Sequence, residues 1–525
     1  MPRRRSDRSL AAAIIGLVAI VGGCASQASP SPGTSSPTFS SSARASGQAP
    51  SASPLAAVPS PIPDPRFKGF ELCAVQGFIP KTWLCDTIDV PLDRQDPSAG
   101  TLAIAVYALP HTDLTTPPGP PLFTTPGGPG GNGYANYGLY SMQDELHAHH
   151  DIVTVDPRGT GLSDPIVCPE LQDGNSTHDE IIADVRACIV TLDGRTDRYG
   201  AADRAMDMEV VRETLGYDAI DYLGPSYGSV DAQAYAVRFP DRLHALVLDS
   251  GFRMEGPAAW AAAEIPTAWF SIAALDCRRD PLCQGLTPDP GAALRVMLTR
   301  VQQKPVVGRS STGGSSSAKV VVDAPAVGSL LTTEGITSDL VRAAVHLSKG
   351  DSQPLVDLSA EHPLFAPNPD SDPASFSNGA NVAGSCNDLE VPWDPMDPPA
   401  ARRKAYDTAL AALADTIAPV STETWGTAGF LDLCLDWPAP THFEPVIPEG
   451  SVFPDVPTLL LSGDLDRGVP AAMSKLLLQE FPKAVFVTIE GAGHPTMSAG
   501  DCPSRIAASF IETLQVGDIS CAGAQ

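Results

Sequence analysis

A glycine-flanked serine is the sharpest chemical signal in the chain. Ser226 stands in the pattern Gly-x-Ser-x-Gly, between a predicted strand at residues 219–223 and a predicted helix at residues 227–239. A serine on a sharp strand-to-helix turn needs small residues two positions before and after it, and Gly224 and Gly228 supply them. Ser226 is therefore the candidate nucleophile. The N-terminus of the following helix would favour the negative charge that develops there.

A serine hydroxyl needs a general base. His494 follows the predicted strand at residues 484–490 and is the only histidine after Asp466. In hydrolases with such a turn the order along the chain is serine, acid, histidine. His494 is the candidate base.

Three aspartates compete for the role of the acid that orients the histidine. Asp466 lies in the loop after the predicted strand at residues 457–462 and is our first choice. Asp464 in the same loop and Asp249, at the end of an earlier predicted strand, stay open as alternatives. The acid would fix the imidazole tautomer and stabilise the imidazolium.

An oxyanion requires two backbone donors. The N–H of Tyr227, directly after the nucleophile, is one candidate. The other would come from the glycine-rich loop at residues 126–131, which follows a predicted strand at residues 121–125. We expect Gly128 to be that donor, with its neighbour Gly127 as the alternative.

The elements that must position these residues alternate between strand and helix. Besides those already named, the predicted strands are 101–109, 151–156 and 243–249, and the predicted helices are 202–215 and 506–514. Such alternation implies a mainly parallel sheet covered by helices on both faces. Together with the serine turn it predicts an α/β-hydrolase fold.

The middle of the chain lacks this alternation. Predicted helices at 258–275, 291–303, 338–348 and 399–418 are broken by polar loops, including a low-complexity loop at 309–319. We interpret residues 257–448 as a large, mostly helical cap inserted into the core. The core then comprises residues 66–256 and 449–525.

Charge and composition exclude some functions. The 525 residues include 34 Lys and Arg against 61 Asp and Glu, a formal net charge of −27. An acidic chain is a poor match for nucleic acid, which needs a basic face. With 43% hydrophobic residues the chain has enough apolar side chains for a core.

The N-terminus has the features of an export signal. Basic residues precede an apolar run at residues 10–23 that is too short to span a bilayer, so we interpret residues 1–23 as a signal peptide. The run ends in Val-Gly-Gly-Cys, which resembles a bacterial lipobox and makes Cys24 the candidate lipidation site. Residues 24–65, rich in Ser, Pro and Ala, would be a disordered tether. We expect a protein that is secreted or lipid-anchored on the outer side of the membrane.

The cysteines support export. Of 11 cysteines, ten remain after Cys24 is set aside, and an even set in an exported chain indicates disulfides. The sequence contains no Cys-x-x-Cys pair of the kind that binds zinc. We expect neither a metal nor a cofactor. The simplest hypothesis pairs neighbours: Cys73–Cys85, Cys168–Cys188, Cys277–Cys283, Cys386–Cys434 and Cys502–Cys521.

These motifs together resemble the prolyl iminopeptidase/tripeptidyl aminopeptidase family of serine aminopeptidases, in its secreted lipoprotein branch. The motifs that carry the resemblance are Pro-Gly-Gly-Pro-Gly at 126–130, Asp-Pro-Arg-Gly-Thr-Gly-Leu-Ser at 156–163, Gly-Pro-Ser-Tyr-Gly at 224–228, Gly-Asp-Leu-Asp at 463–466 and Gly-His at 493–494. The resemblance implies the triad Ser226, Asp466 and His494 and a cap that selects short peptides by their free amino end. Two departures, Pro126 in place of a histidine and Val469 before Pro470 in place of a threonine, bear on substrate choice. We interpret Asp156 and Arg158 as braces for a loop near the site.

An aminopeptidase must hold a substrate ammonium, for which a shielded carboxylate is suited. Asp388 and Glu390, beside Cys386 in the predicted cap, are candidates. The alternative is that both belong to a solvated acidic loop.

Three functions follow from these residues. The first is a monomeric serine hydrolase that cleaves short peptides from the N-terminus through an acyl-enzyme. The second is a carboxylesterase or lipase with the same triad, because one fold hosts many chemistries. The third is a catalytically inactive binding lipoprotein.

Overall fold

The computed structural model describes residues 64–73, 82–135, 142, 145–172, 177–254, 264–311, 319–362, 372–428, 431–442 and 444–523. The predicted signal peptide, Cys24 and the rest of the predicted tether up to residue 63 lie outside the described residues. In the described ranges, no helix combines the length and the apolar character needed to cross a bilayer.

One large sheet organises the core. The strands are β1 (Glu71–Leu72), β2 (Leu84–Pro91), β3 (Thr101–Leu109), β4 (Leu122–Thr124), β5 (Ile152–Val155), β6 (Ile220–Pro225), β7 (Leu243–Asp249), β8 (Val306–Arg309), β9 (Lys319–Val322), β10 (Thr458–Gly463) and β11 (Ala484–Ile489). Nine of them form the sheet in the order β1-β2-β3-β5-β4-β6-β7-β10-β11. The pairs β1/β2, β2/β3 and β3/β5 are antiparallel, and the sheet is parallel from β5 to β11. The central strands β4, β5, β6 and β10 are buried throughout, as parallel strands covered on both faces are.

Helices cover both faces of this sheet. The described helices of the core and the cap together are α1 (Pro169–Gln172), α2 (His178–Leu192), α3 (Ala201–Thr214), α4 (Gly228–Arg238), α5 (Glu264–Arg279), α6 (Pro281–Gln284), α7 (Pro290–Gln303), α8 (Ala324–Thr332), α9 (Thr337–Ser348), α10 (Gln353–Glu361), α11 (Asn378–Asp388), α12 (Pro399–Leu413), α13 (Thr422–Ala428), α14 (Ala471–Ser474) and α15 (Asp501–Thr513). Alternate residues of β7 face opposite sides: Leu246 and Leu248 belong to the apolar cluster that includes α3 and α4, whereas Val247 belongs to the cluster that includes Ile506 and Phe510 of α15. The two faces thus carry separate apolar clusters.

The cap consists of the elements between β7 and β10. These two strands are neighbours in the sheet, with Leu246 opposite Thr458, yet the chain passes through α5 to α13 before it returns. The predicted α/β-hydrolase fold with a mostly helical cap is confirmed. The predicted loop at 309–319 is flanked by an antiparallel pair, β8 and β9, which meet it at Arg309 and Lys319, and residues 312–318 within it lie outside the described residues.

The predicted bounds of helices and strands agree best with the structure in the core. The predicted strands at 101–109 and 243–249 coincide with β3 and β7. In the cap the predicted helix at 258–275 corresponds to α5, whose first described residue is Glu264 and which continues to Arg279. The helices α2, α8, α10 and α11 and the strand β2 are absent from the sequence-based expectations.

All five disulfides of the neighbour pairing are present. Cys168–Cys188 joins the start of α1 to α2, and Cys386–Cys434 joins α11 to the short 3₁₀ helix Leu431–Asp436. Cys502–Cys521 ties α15 to the C-terminal segment. The last two therefore add a covalent link to segments that are also held by hydrogen bonds, such as Trp437 to Asn387 and Glu490 to Ala522.

We expect the disulfides to differ in their effect on stability according to the loop that each one closes. Cys386–Cys434 spans 48 residues and Cys277–Cys283 spans 6. Loop-closure entropy gives about 4 kcal/mol for the former and about 2 kcal/mol for the latter. Replacing each pair with alanines should therefore lower the urea denaturation midpoint more for the 386–434 pair. Equal losses for the two variants would contradict the entropic explanation.

Candidate active site

Ser226 lies on a strained turn between β6 and α4. Its φ is +52°, in the left-handed region that a non-glycine residue seldom occupies. Its N–H donates to the carbonyl of Asp249 on β7 at 2.7 Å. The flanking glycines are required by space: a Cβ on Gly224 would lie 2.6 Å from the carbonyl oxygen of Gly228, and a Cβ on Gly228 would lie 2.9 Å from the carbonyl oxygen of Thr125. The turn therefore presents Ser226 at the carboxyl edge of the sheet.

His494 links Ser226 to Asp466. Its Nε2 is 2.8 Å from the Oγ of Ser226, and its Nδ1 is 2.8 Å from Oδ2 of Asp466. The other oxygen of Asp466 accepts the N–H of Val469 at 2.6 Å, so this carboxylate is held on both sides. Ser226 and Asp466 are buried. The three residues that the sequence singles out, from loops after β6, β10 and β11, thus form one hydrogen-bonded chain.

The electrostatic setting favours a charged imidazole. Burial alone would lower the pKa of His494, but the nearby carboxylates of Asp466, Glu334 and Asp249 outweigh it and raise the pKa above 6.5. An imidazolium that forms when the serine proton is removed is stabilised by the same charges. The arrangement can therefore support general-base chemistry on the Ser226 hydroxyl.

The two alternative acids have other partners. Asp464 makes a two-pronged ion pair with Arg279 of the cap helix α5, at 2.9 and 2.7 Å. Asp249 accepts the N–H groups of Thr496 and Met497, both at 3.0 Å, and burial raises its pKa to about 6. Each aspartate thus holds a loop of the site, and only Asp466 is hydrogen-bonded to the imidazole.

The glycine-rich loop after β4 lies against the nucleophile. A Cβ on Gly127 would be 2.9 Å from the Cβ of Ser226 and 3.3 Å from its Oγ. Gly128 has φ +126°, a conformation that glycine adopts without strain. The structure therefore places Gly127 against Ser226, whereas the neighbours of Gly128 are the backbone N–H groups of Gly130 and Gly131 and the ring of Phe376. Tyr227 follows Ser226 at the start of α4.

The cap holds this glycine-rich loop through α11, a contact that the sequence did not reveal. The N–H of Ser377, just before α11, donates to the carbonyl of Gly130 at 2.9 Å, and the side-chain amide of Asn381 donates to the carbonyl of Pro129 at 2.7 Å. No motif marks these residues, because one segment of a chain does not show which distant loop it will contact.

Asp156 is a brace for neighbouring loops. Its carboxylate accepts N–H groups from Gly133 at 2.6 Å and Leu162 at 2.7 Å, and the hydroxyl of Tyr107 at 2.7 Å. Burial raises its pKa to about 6. This carboxylate has no contact with the triad among those the structure gives it.

Arg158, like Asp156, braces a loop near the site. Its guanidinium is buried and forms a bidentate pair with Asp207 of α3, at 2.7 Å for each bond. It also donates to the carbonyls of Pro91, Leu92 and Arg198. The N–H donors of Arg158 therefore bind acceptors within the protein, and they hold the loop after β5 against α3.

Asp388 and Glu390 differ in their surroundings. Asp388 ends α11, where one oxygen accepts from Arg204 and from the hydroxyl of Tyr227, both at 2.9 Å, and the other accepts the N–H of Ala201 at 2.7 Å. The side chain of Asp388 is 2% exposed. Glu390 is exposed, and partial burial of its carboxyl raises its pKa. Asp388 is thus engaged within the protein, and only Glu390 faces solvent.

Glu334 is a charged neighbour of the triad that the sequence analysis missed. It lies in the cap between α8 and α9, and its carboxylate accepts the N–H of His494 at 2.7 Å. No sequence pattern separates it from the other 60 acidic residues of the chain. In the described ranges, no group of three or more His, Cys, Asp or Glu side chains is placed to hold a metal ion.

Comparison with known proteins agrees with this architecture. Residues 120–295 match the family model for the alpha/beta hydrolase fold, and residues 418–521 match the model for TAP-like proteins. The chain is 24% identical to the tripeptidyl aminopeptidase of Streptomyces coelicolor over 449 residues, which cover 81% of this chain and 79% of that protein. It is 26% identical to the serine protease Hip1 of Mycobacterium tuberculosis over 459 residues, which cover 81% and 84%.

One solved structure among those that resemble the chain is a proline iminopeptidase from Mycobacterium smegmatis. The identity is 13%, the TM-score is 0.35, and the overlap covers 82% of this chain and 98% of that one. The fold assignment rests instead on the sheet order and on the family match over residues 120–295.

The chain has the α/β-hydrolase fold. Its likeness is to TAP-like proteins, because residues 418–521 match that family model and a tripeptidyl aminopeptidase is among its relatives. The resemblance found in the sequence is confirmed, and the comparisons support a serine hydrolase of the peptidase type.

Two matched substitutions separate the candidate acids. We expect Asp466→Asn to lower kcat about 10⁴-fold without unfolding the protein, because the asparagine amide cannot hold the required imidazole tautomer. Asp464→Asn should lower kcat by less than about tenfold, since it weakens a partly exposed ion pair with Arg279 and keeps an oxygen that can accept the N–H of Gly491. Steady-state kinetics on a turned-over substrate, with circular dichroism as the folding check, measures both. A larger loss in Asp464→Asn would assign the acid to Asp464.

Proposed function

We propose that the protein is a serine aminopeptidase that removes short peptides from the N-terminus of its substrates. The observation that carries the proposal is the hydrogen-bonded chain from Ser226 through His494 to Asp466, in a chain similar to a tripeptidyl aminopeptidase and to a serine protease. The triad alone supports a hydrolase. The peptidase assignment depends on the likeness to these relatives.

The proposed reaction proceeds through an acyl-enzyme. Ser226 attacks the scissile carbonyl while His494 takes its proton, and the N–H groups of Tyr227 and Gly128 stabilise the oxyanion. His494 then returns the proton to the leaving amine, and a water molecule activated by His494 hydrolyses the ester on Ser226. Asp466 stabilises the imidazolium in both halves of the reaction. These steps need only this chain, the substrate and water.

The free ammonium of the substrate calls for a carboxylate. We propose Glu390 rather than Asp388, because both oxygens of Asp388 are already occupied by Arg204, Tyr227 and Ala201. The overall charge of −27 also favours a cationic substrate end over an anionic one.

An assay that compares amide and ester substrates tests the proposed activity. We expect turnover of a tripeptidyl nitroanilide with a free N-terminus, a large loss when that N-terminus is acetylated, and a loss of about 10⁴-fold or more in Ser226→Ala. Glu390→Gln should raise KM with little change in kcat. Hydrolysis of nitrophenyl esters without nitroanilide turnover would favour the carboxylesterase. A wild-type protein whose Ser226 is not labelled by a fluorophosphonate would favour the inactive binding lipoprotein.

We further propose that the protein is exported and anchored by a lipid on Cys24. The five disulfides support an oxidising compartment, and the Val-Gly-Gly-Cys sequence supports lipidation. A lipid-modified cysteine with more than one acyl chain would hold the protein stably at a membrane.

Metabolic labelling tests the anchor. Expressed in a bacterial host with a radiolabelled fatty acid, the full chain should incorporate label and sediment with membranes. Cys24→Ser should lose the label, while a Cys502→Ser control, which removes only a disulfide partner, should keep it. Equal labelling of wild type and Cys24→Ser would exclude lipidation at this residue.

A further inference from the structure

A carboxylate of the cap holds the backbone of both triad loops. The two oxygens of Glu334 are used separately: Oε2 accepts the N–H of His494 at 2.7 Å, and Oε1 accepts the N–H of Arg467 at 2.9 Å. Arg467 directly follows Asp466, so one side chain bridges the loop of the acid and the loop of the base. Hydrogen bonds to a charged acceptor are stronger than those between neutral groups.

The core makes room for this contact at Gly493. A Cβ on Gly493 would collide with Oε2 of Glu334 and would lie 2.9 Å from its Cδ. Gly493 does not have a positive φ, so its backbone conformation does not require glycine. The space that the missing side chain leaves is filled by the carboxylate of Glu334.

The segment that carries Glu334 is itself fixed by Arg467. The guanidinium of Arg467 is buried and donates to the carbonyl of Thr333 at 3.0 Å and to the hydroxyl of Thr337. It also lies 3.7 Å from a carboxylate oxygen of Asp276 on α5. Arg467 therefore contacts the cap on either side of Glu334, and the bridge is reciprocal.

The charges around Glu334 come from several elements. Asp466 and Arg467 face it from the loop after β10, and His494 faces it from the loop after β11. Farther out, Asp276 faces Arg467 and Asp249 faces His494. The pKa of Glu334 is raised to about 7, mainly by burial and secondly by the charge of Asp466, while His494 and the two backbone hydrogen bonds oppose the rise. Ionised Glu334 in turn favours the imidazolium form of His494.

We propose that Glu334 is a positioning residue of the catalytic machinery, which fixes His494 against Asp466 and stabilises the imidazolium from the cap. The triad is then correctly aligned only when the cap segment that carries Glu334 is packed against the loops of Asp466 and His494. This inference rests on the proposed function only in taking Ser226, His494 and Asp466 as the reacting set.

Labelling of Ser226 by a fluorophosphonate tests the proposal without a choice of peptide substrate. In Glu334→Gln a neutral amide offers a single acceptor oxygen to two N–H donors, so one donor loses its partner. We expect the labelling rate on the alkaline plateau to fall roughly 10- to 100-fold, as a misplaced reacting group would cause. The acid limb of the pH profile should move to lower pH, because His494 loses a neighbouring negative charge. Glu361→Gln, an exposed glutamate at the end of α10, is the matched control and should behave as wild type.

A second variant separates the contact from the folding of the cap. Gly493→Ala should displace the flexible carboxylate of Glu334 and slow labelling by a similar factor. In a Glu334→Ala background the same change should cost less than about twofold, because the space is then vacant. Equal effects in the two backgrounds would overturn the proposal.

The remaining outcomes also decide the matter. A Glu334→Gln protein with the plateau and the acid limb of wild type overturns the inference. If Glu334→Gln lowers the labelled fraction without shifting the acid limb, the protein is partly unfolded, and the inference is overturned. If it changes only KM for the nitroanilide, Glu334 contacts the substrate, and the inference is likewise overturned. If wild-type Ser226 is not labelled at all, the proposed function fails instead, so the two failures are distinguishable.

Discussion

The left-handed backbone of Ser226 is the constraint around which the rest of the structure is arranged. A residue held in this conformation costs on the order of 1–3 kcal/mol and persists only where its surroundings enforce it. Here the enforcement comes from both neighbouring strands: β7 supplies the carbonyl of Asp249 that accepts the N–H of Ser226, and β4 leads into the loop that passes over Ser226. Because the sheet is parallel at this point, the loops of the acid and the base, after β10 and β11, emerge at the same edge.

The cap covers the site and also makes polar contacts with the loops that form it. Arg279 of the cap forms an ion pair with Asp464 in the loop of the acid. Asp388 of the cap accepts a hydrogen bond from the hydroxyl of Tyr227 in the nucleophile turn. The cap contacts the glycine-rich loop through α11. Each catalytic loop is therefore held by a polar bond from the cap as well as by the sheet.

The sequence predicted the parts of this site that local pattern specifies. The runs that became β3 and β7 are mostly apolar and mostly buried, and the serine turn has a spacing that its geometry demands. The cap resisted prediction because its contacts join segments distant in the chain. Asp388 is an example: in sequence it stands in an acidic stretch, but α11 carries it to Arg204, more than 180 residues earlier. Glu334 is another, since nothing nearby in sequence indicates a partner at position 494.

Three carboxylates surround one imidazole, and the chemistry of the ring explains why they bind it differently. The ring has two nitrogens: one faces Ser226 and the other has room for a single acceptor, Asp466. Further negative charge can act only from a distance, so Glu334 binds the N–H of His494, and Asp249 binds the N–H groups of Thr496 and Met497 just beyond it. Burial raises the pKa of Glu334 to about 7 and that of Asp249 to about 6, so their N–H donors and the imidazolium are what favour their ionised forms. The ionisation of the base and of the groups that hold its backbone is therefore mutually dependent, and the cap takes part in it through Glu334.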